Sequence, residues 1–179
     1  MNERLRKILL SRLAGPIAWP VLIIVLAVGL HPASGRQARN LLWQIGTQDK
    51  DDREFVLAPG GYGKFHEDGF FVVGQSDPKR DWPYVHPGPE DSWAGSRRHT
   101  FTIVFGLRTA PAGGDCRLLF SLVDTHRNAP PVLDIEVNSN SFQRKLPAGA
   151  GDASISGRPE RGAPFRFAVD FPASLLGVG

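Results

Sequence analysis

The sequence predicts an all-β sandwich, on three observations. The 179 residues include 20 Gly and 15 Pro, a density of turn formers that suits many short strands and works against a helical bundle. Short runs rich in β-branched and aromatic residues recur along the chain, several alternating apolar with polar. No segment after residue 35 carries a sustained helical stripe. With 41% hydrophobic and 22% charged residues, the composition is that of a chain with a packed core. Half-apolar strands must bury one face, and a second sheet is the economical cover.

The first element is predicted as an address, residues 1–35. Met1 to Arg12 is basic, Leu13 to Leu30 has no charge, and Val21 to Leu30 is almost wholly aliphatic. Ala33 and Gly35 then give the small-residue spacing that signal peptidase reads. The expectation is a hydrophobic signal helix, with residues 36–179 secreted or periplasmic. The alternative is an uncleaved inner-membrane anchor, which would be the chain's membrane contact. A spanning helix needs roughly 20 apolar residues, and Pro16 and Pro20 disturb the first half of this run.

The formal charge is +3 and the sequence pI about 9.3, values that invite a nucleic-acid reading. Arg4, Arg6, Lys7 and Arg12 against Glu3 account for the whole surplus. Residues 36–179 are balanced, with basic residues scattered among acids, so no nucleic-acid partner is expected. The single cysteine, Cys116, excludes an internal disulfide and a multi-cysteine zinc site. Outside the cytoplasm such a thiol is safest buried in a strand.

The strands follow in order. Leu41 to Ile45 is ended by Gly46. Glu54 to Leu57 is stopped by Pro59-Gly60-Gly61. Phe70 to Val73 lies between two glycines. Thr100 to Phe105 places Phe101, Ile103 and Phe105 on one face. Cys116 to Val123 is longer and more buried. Val132 to Val137 sets Leu133, Ile135 and Val137 opposite Val132, Asp134 and Glu136. Phe165 to Val169 turns Phe165, Phe167 and Val169 inward.

Between the third and fourth of these strands lies a long connection, Gln75 to Arg98, with four prolines, Trp82, Tyr84 and Trp93. Connections of this length without regular structure are functional or disordered, and three large aromatics argue for order. Sugar rings stack their C–H faces on Trp and Tyr while Asp, His and Arg bond their hydroxyls, so a proline-stiffened loop of this composition is a candidate platform. The competing reading is that Trp82 and Trp93 plug the sandwich edge as packing residues.

Other motifs fail. Gly60-Gly61-Tyr62-Gly63-Lys64 lacks the spacing and the Ser or Thr of a phosphate loop. Gly74-Gln75-Ser76-Asp77-Pro78 lacks the closing Gly of a nucleophile elbow. Gly151-Asp152-Ala153-Ser154 sits too late for an esterase block. His66, His86, His99 and His126 show no ligand spacing. No catalytic residue, metal ligand or cofactor is assigned. A structural calcium ion is compatible with an exported sandwich, but no residues fix its position.

Longer stretches carry a resemblance. Leu42-Trp43-Gln44-Ile45-Gly46 with Asp49 and Glu54-Phe55 resembles the opening strand of the third domain of rhamnogalacturonan lyases, polysaccharide lyase family four. Val73 to Tyr84 resembles that domain's signature. His86-Pro87-Gly88-Pro89-Glu90-Asp91-Ser92-Trp93-Ala94-Gly95, the strand from His99, and Leu122 to His126 leading to Pro130-Pro131-Val132-Leu133 are similar too. The likeness spans roughly residues 41 to 177. It implies a galactose-binding-type jelly roll that recognises carbohydrate, in particular pectic rhamnogalacturonan. In the full family architecture a separate N-terminal domain performs β-elimination. Here the leader runs straight into the third-domain motif, and no base or carboxylate-neutralising group is assignable.

The leading expectation is therefore an exported, non-catalytic carbohydrate-binding module. Trp82, Tyr84 and Trp93 would stack on sugars, with Asp81, His86, Asp91 and Arg97 as polar partners. The alternatives are a polysaccharide lyase acting alone or with a partner subunit, and a membrane-tethered structural sandwich. Family members also continue past the segment matching Leu175-Leu176-Gly177, so a domain cut short at its C-terminus is expected. Oligomeric state is left open.

Overall fold

The computed structural model describes residues 5–13, 22–29, 39–109, 111–151 and 157–176. Nine strands are present among them: β1 Leu5–Leu13, β2 Leu22–Gly29, β3 Arg39–Ile45, β4 Gly69–Val72, β5 Thr100–Gly106, β6 Asp115–Leu122, β7 Val132–Val137, β8 Asn140–Lys145 and β9 Phe165–Pro172. One sheet has the order β4-β5-β1-β7-β8 and the other β3-β2-β6-β9. All neighbours are antiparallel except β4 and β5. The expected all-β architecture is present, and short helical turns are confined to the connections.

The core forms where the inward faces meet. Phe101, Ile103 and Phe105 of β5, Leu133, Ile135 and Val137 of β7, and Cys116, Leu118 and Phe120 of β6 are buried there. Phe120 and Phe167 stack at 4.5 Å across the β6–β9 pair, and Trp43 tilts against Phe105 at 5.5 Å. Cys116 is fully buried, and burial pushes its thiol up to about 11. It therefore stays protonated and unreactive.

Three elements differ from expectation. The leader was expected as a helix. Its described backbone is extended, with β1 between β5 and β7 and β2 between β3 and β6. An aliphatic run long enough for a membrane helix also suits a central strand flanked on both sides, and apolar content alone does not separate the two. The expected cleavage region at Ala33 and Gly35 lies outside the described residues. No helix among the described residues is long and apolar enough to cross a membrane.

Glu54 to Leu57 is not a strand. Leu57 takes a left-handed φ of 67°, Phe55 N–H closes a turn onto the Asp52 carbonyl at 3.0 Å, and a single bridge joins Val56 to Pro83. Strand β8 was not expected. Its residues are mostly exposed, as an edge strand allows, so no apolar alternation announces it. Asn138 and Ser139, both with positive φ, make the two-residue turn that pairs it with β7.

Candidate carbohydrate-binding site

The Gln75–Arg98 connection is ordered by its own side chains. Asp77 caps a single helical turn, Pro78–Asp81, by accepting from the Lys79 amide at 2.9 Å. The backbone hydrogen bonds to the Phe55–Leu57 turn through Val56, which donates to the Trp82 carbonyl at 3.0 Å. Residues 82–88 are all buried.

The predicted platform therefore divides. Trp82 is fully buried, with Phe71, Phe101 and His86 within 5.3–5.9 Å of its ring. His86 is also buried and lies flat on Phe101. Tyr84 is buried; burial and the nearby Asp52 charge push its phenol above the ordinary range. In this structure these three residues are core, as the packing reading had Trp82, and their faces are closed to a sugar ring.

Asp91 is buried and organises the loop that follows. One carboxylate oxygen accepts the Gly88 amide at 2.5 Å, and the other accepts the Trp93 indole N–H at 3.2 Å. Its carbonyl accepts the Ala94 and Ser96 amides. Trp93 sits in the turn Ser92–Ala94 and is half-buried. It meets Tyr62 edge to face at 5.3 Å and 88°. Of the tryptophans whose burial is described, Trp93 is half-buried while Trp43 and Trp82 are buried.

Arg97 is exposed and held in place. Its Nη1 donates to Asp68 at 2.8 Å and to the Arg98 carbonyl at 3.0 Å, and Nη2 donates to the His66 carbonyl at 3.1 Å. Burial would raise the Asp68 carboxyl, but the Arg97 guanidinium and the Thr100 amide outweigh it and hold it low. A guanidinium has five N–H donors, so Nε and one Nη2 proton remain for a ligand. Asp81 is committed elsewhere: it accepts the Asp77 amide and pairs with Arg80, and the Arg80 bond lowers its carboxyl.

The structure thus joins Asp91 to Trp93, and holds Arg97, four residues further along the chain, against Asp68 and the His66 carbonyl. It places Trp82, Tyr84 and His86 in the core and Asp81 in a local ion pair. Tyr62, the partner of Trp93, was missed because its glycine-rich surroundings were weighed only as a phosphate loop.

The Leu122–His126 motif is structural. Asp124 Oδ1 accepts amides from Thr125, Ala150 and Ala163 at 2.8–3.2 Å, pinning two loops to the end of β6. Gly149 approaches so closely that an added Cβ would stand 2.2 Å from the Thr125 carbonyl.

Among the described residues, no group of three or more His, Cys, Asp or Glu is disposed to hold a metal ion. Comparisons with curated proteins and with solved structures return no match. The model of the family described as CBM-like, polysaccharide lyase family 4, domain III, matches residues 41–179. That match runs from within β3 through every later element described above, so the chain belongs to the CBM-like domain III family of polysaccharide lyase family 4.

Proposed function

We propose that this carbohydrate-binding-type domain recognises pectic polysaccharide of the rhamnogalacturonan kind, through the surface formed by Trp93, Tyr62 and Arg97. The observation that carries the reading is the Trp93 ring. It is fixed from one side by the Asp91 carboxylate and from another by Tyr62, and the residue is only half-buried. A ring already immobilised loses little entropy when a sugar stacks on it. The spare N–H groups of Arg97 suit a uronate carboxylate or a sugar hydroxyl. The balanced charge of residues 36–179 gives no long-range pull toward an acidic polymer, so recognition rests on these contacts.

Affinity electrophoresis in rhamnogalacturonan gels tests this. The full chain should be retarded, and Trp93→Ala and Arg97→Ala should run as in a blank gel while their circular dichroism is unchanged. Equal retardation of all three would remove the site.

Export through residues 1–35 belongs to the same reading. Either outcome has a structural consequence, because β1 and β2 lie inside the two sheets: removing residues 1–35 by cleavage, or placing residues 13–30 in a membrane, requires those sheets to close otherwise. Cell fractionation with N-terminal sequencing of the mature protein separates the two.

A further inference from the structure

His99 stands immediately before β5 and is 0% exposed. Its ring touches two backbone carbonyls. Nδ1 lies 3.0 Å from the Glu67 oxygen and Nε2 3.0 Å from the Ala94 oxygen. A carbonyl oxygen only accepts. A neutral imidazole has one N–H and one lone pair, so one of these contacts would set a lone pair against a lone pair in a site closed to solvent. The imidazolium, with an N–H on each nitrogen, donates to both.

A buried cation needs a counter-charge, and Asp68 supplies it. Its carboxylate stands 3.6 Å from Nδ1 and also accepts from Arg97 Nη1 and the Thr100 amide. Phe65 covers the ring at 6.2 Å. On the Ala94 side Asp91 is engaged by the Gly88 amide and the Trp93 indole. On the other side His66 and Glu67 are exposed residues.

The two carbonyls belong to the two halves of the proposed binding surface. Ala94 ends the turn that carries Trp93, and the Asp91 carbonyl accepts the Ala94 amide. Residues 66–68 hold Arg97 through the His66 carbonyl and the Asp68 carboxylate. The His99 ring is therefore a brace between the segment that carries Trp93 and the segment that anchors Arg97.

We propose that His99 is a positioning residue for this surface, acting as an imidazolium that clasps the Ala94 and Glu67 carbonyls together. Loss of a ring proton to water leaves one carbonyl facing a bare nitrogen, and the two segments part. Trp93 and Arg97 then lose their fixed spacing, so ligand binding falls as pH rises through the range in which histidine changes charge. Carboxylates on the polymer are already ionised throughout that range. The proposal rests on the carbohydrate-binding reading above and adds to it a residue and a direction of pH dependence.

Imidazole nitrogen–proton correlation NMR spectra of the full chain, from about pH 5 to about pH 9, read the ring directly. At about pH 6 both His99 nitrogens should carry protons, and deprotonation should shift the Trp93 indole and the amides of residues 92–97 in step. Retardation in rhamnogalacturonan gels should weaken about tenfold over the same interval, the scale of one charge-assisted hydrogen bond. His99→Gln should give weak retardation with no pH trend. A single protonated nitrogen at about pH 6, or a ring that keeps both protons to about pH 9, would overturn the proposal. So would a ring that titrates while residues 92–97 and the retardation stay still. If no retardation occurs at any pH while the Trp93 indole follows the ring, the carbohydrate reading falls and the brace stands.

Discussion

The His86 imidazole lies flat on the Phe101 ring, with centroids 3.9 Å apart and planes 6° from parallel. That stack carries the loop's histidine into the core of a β5 residue, and Trp82 closes edge-on over both rings. The aromatic connection is therefore mainly a lid on the sandwich, which leaves Trp93 as the residue of the proposed ligand contact. Trp82→Ala should cost about 3–5 kcal/mol, the usual range for truncating a buried large aromatic. Trp93→Ala should cost about 1 kcal/mol and lose polysaccharide binding. Urea denaturation beside affinity electrophoresis checks the contrast; similar stability losses for the two would contradict it.

Asp91 should act through Trp93. Asp91→Ala strands the Gly88 amide and the indole N–H, so stability should fall by about 1–3 kcal/mol. The freed ring should emit further to the red, and retardation in the gel should weaken. Unchanged tryptophan emission would show that the carboxylate does not set the ring's position.

Asp52 should make the protein less stable as pH rises. Burial, reinforced by the charges of Asp51 and Glu54 and offset in part by its own backbone N–H and then by Arg53, lifts its carboxyl to about 6. Between about pH 4 and pH 6 the folded protein then holds more protons than the unfolded chain, so this group's contribution falls with rising pH and is level above that window. The full effect is about 3 kcal/mol, two pKa units at 1.36 kcal/mol each. Asp52→Asn should remove the slope and stabilise the neutral protein by up to that amount. Asp51, held down to about 2 by the Arg53 side-chain bond, titrates below this window. Denaturation midpoints of both proteins at about pH 4 and about pH 7 give the comparison; parallel curves would refute it.

The leading strand can be caught in register. Leu9 pairs with Thr102 on β5, and antiparallel partners have Cα atoms about 4.5–5.5 Å apart, within disulfide reach. In the full chain, Leu9→Cys with Thr102→Cys should cross-link on mild oxidation. Leu10→Cys with Thr102→Cys should not, because a shift of one residue turns the side chain to the other face. Non-reducing peptide mapping reads the result, and equal yields from the two pairs would remove β1 from this sheet.

Much of the fold was legible in the chain. Alternation at Thr100–Phe105 and Val132–Val137 marked strands and their inward faces, because a period of two has one reading when one face is buried. Gly46, with φ of 76° and an added Cβ 2.3 Å from Phe55, ends β3 where the sequence placed the stop. Polar β8 gave no such signal, and Glu54–Leu57 gave a false one, since its burial comes from a turn docked on another loop.

The site was legible only in part. Composition identified the Gln75–Arg98 connection as ordered and aromatic, and the family motifs lay within it and on either side. Which aromatic faces outward was not written there. Trp82 and Trp93 are the same residue type in the same loop, and their fates depend on Phe71, Phe101 and Tyr62, brought to them from β4, β5 and a distant turn.

By itself the sequence determined an all-β chain of this family, a charge-balanced body and a basic, apolar N-terminal segment. These follow from local pattern and composition, which need no partner. Only the tertiary structure decided that Trp82, Tyr84 and His86 are core, that Asp91 orients Trp93, and that Asp52 stands buried without a donor. Burial and hydrogen-bond satisfaction depend on residues far apart in the chain, and they take a value only when the sheets close.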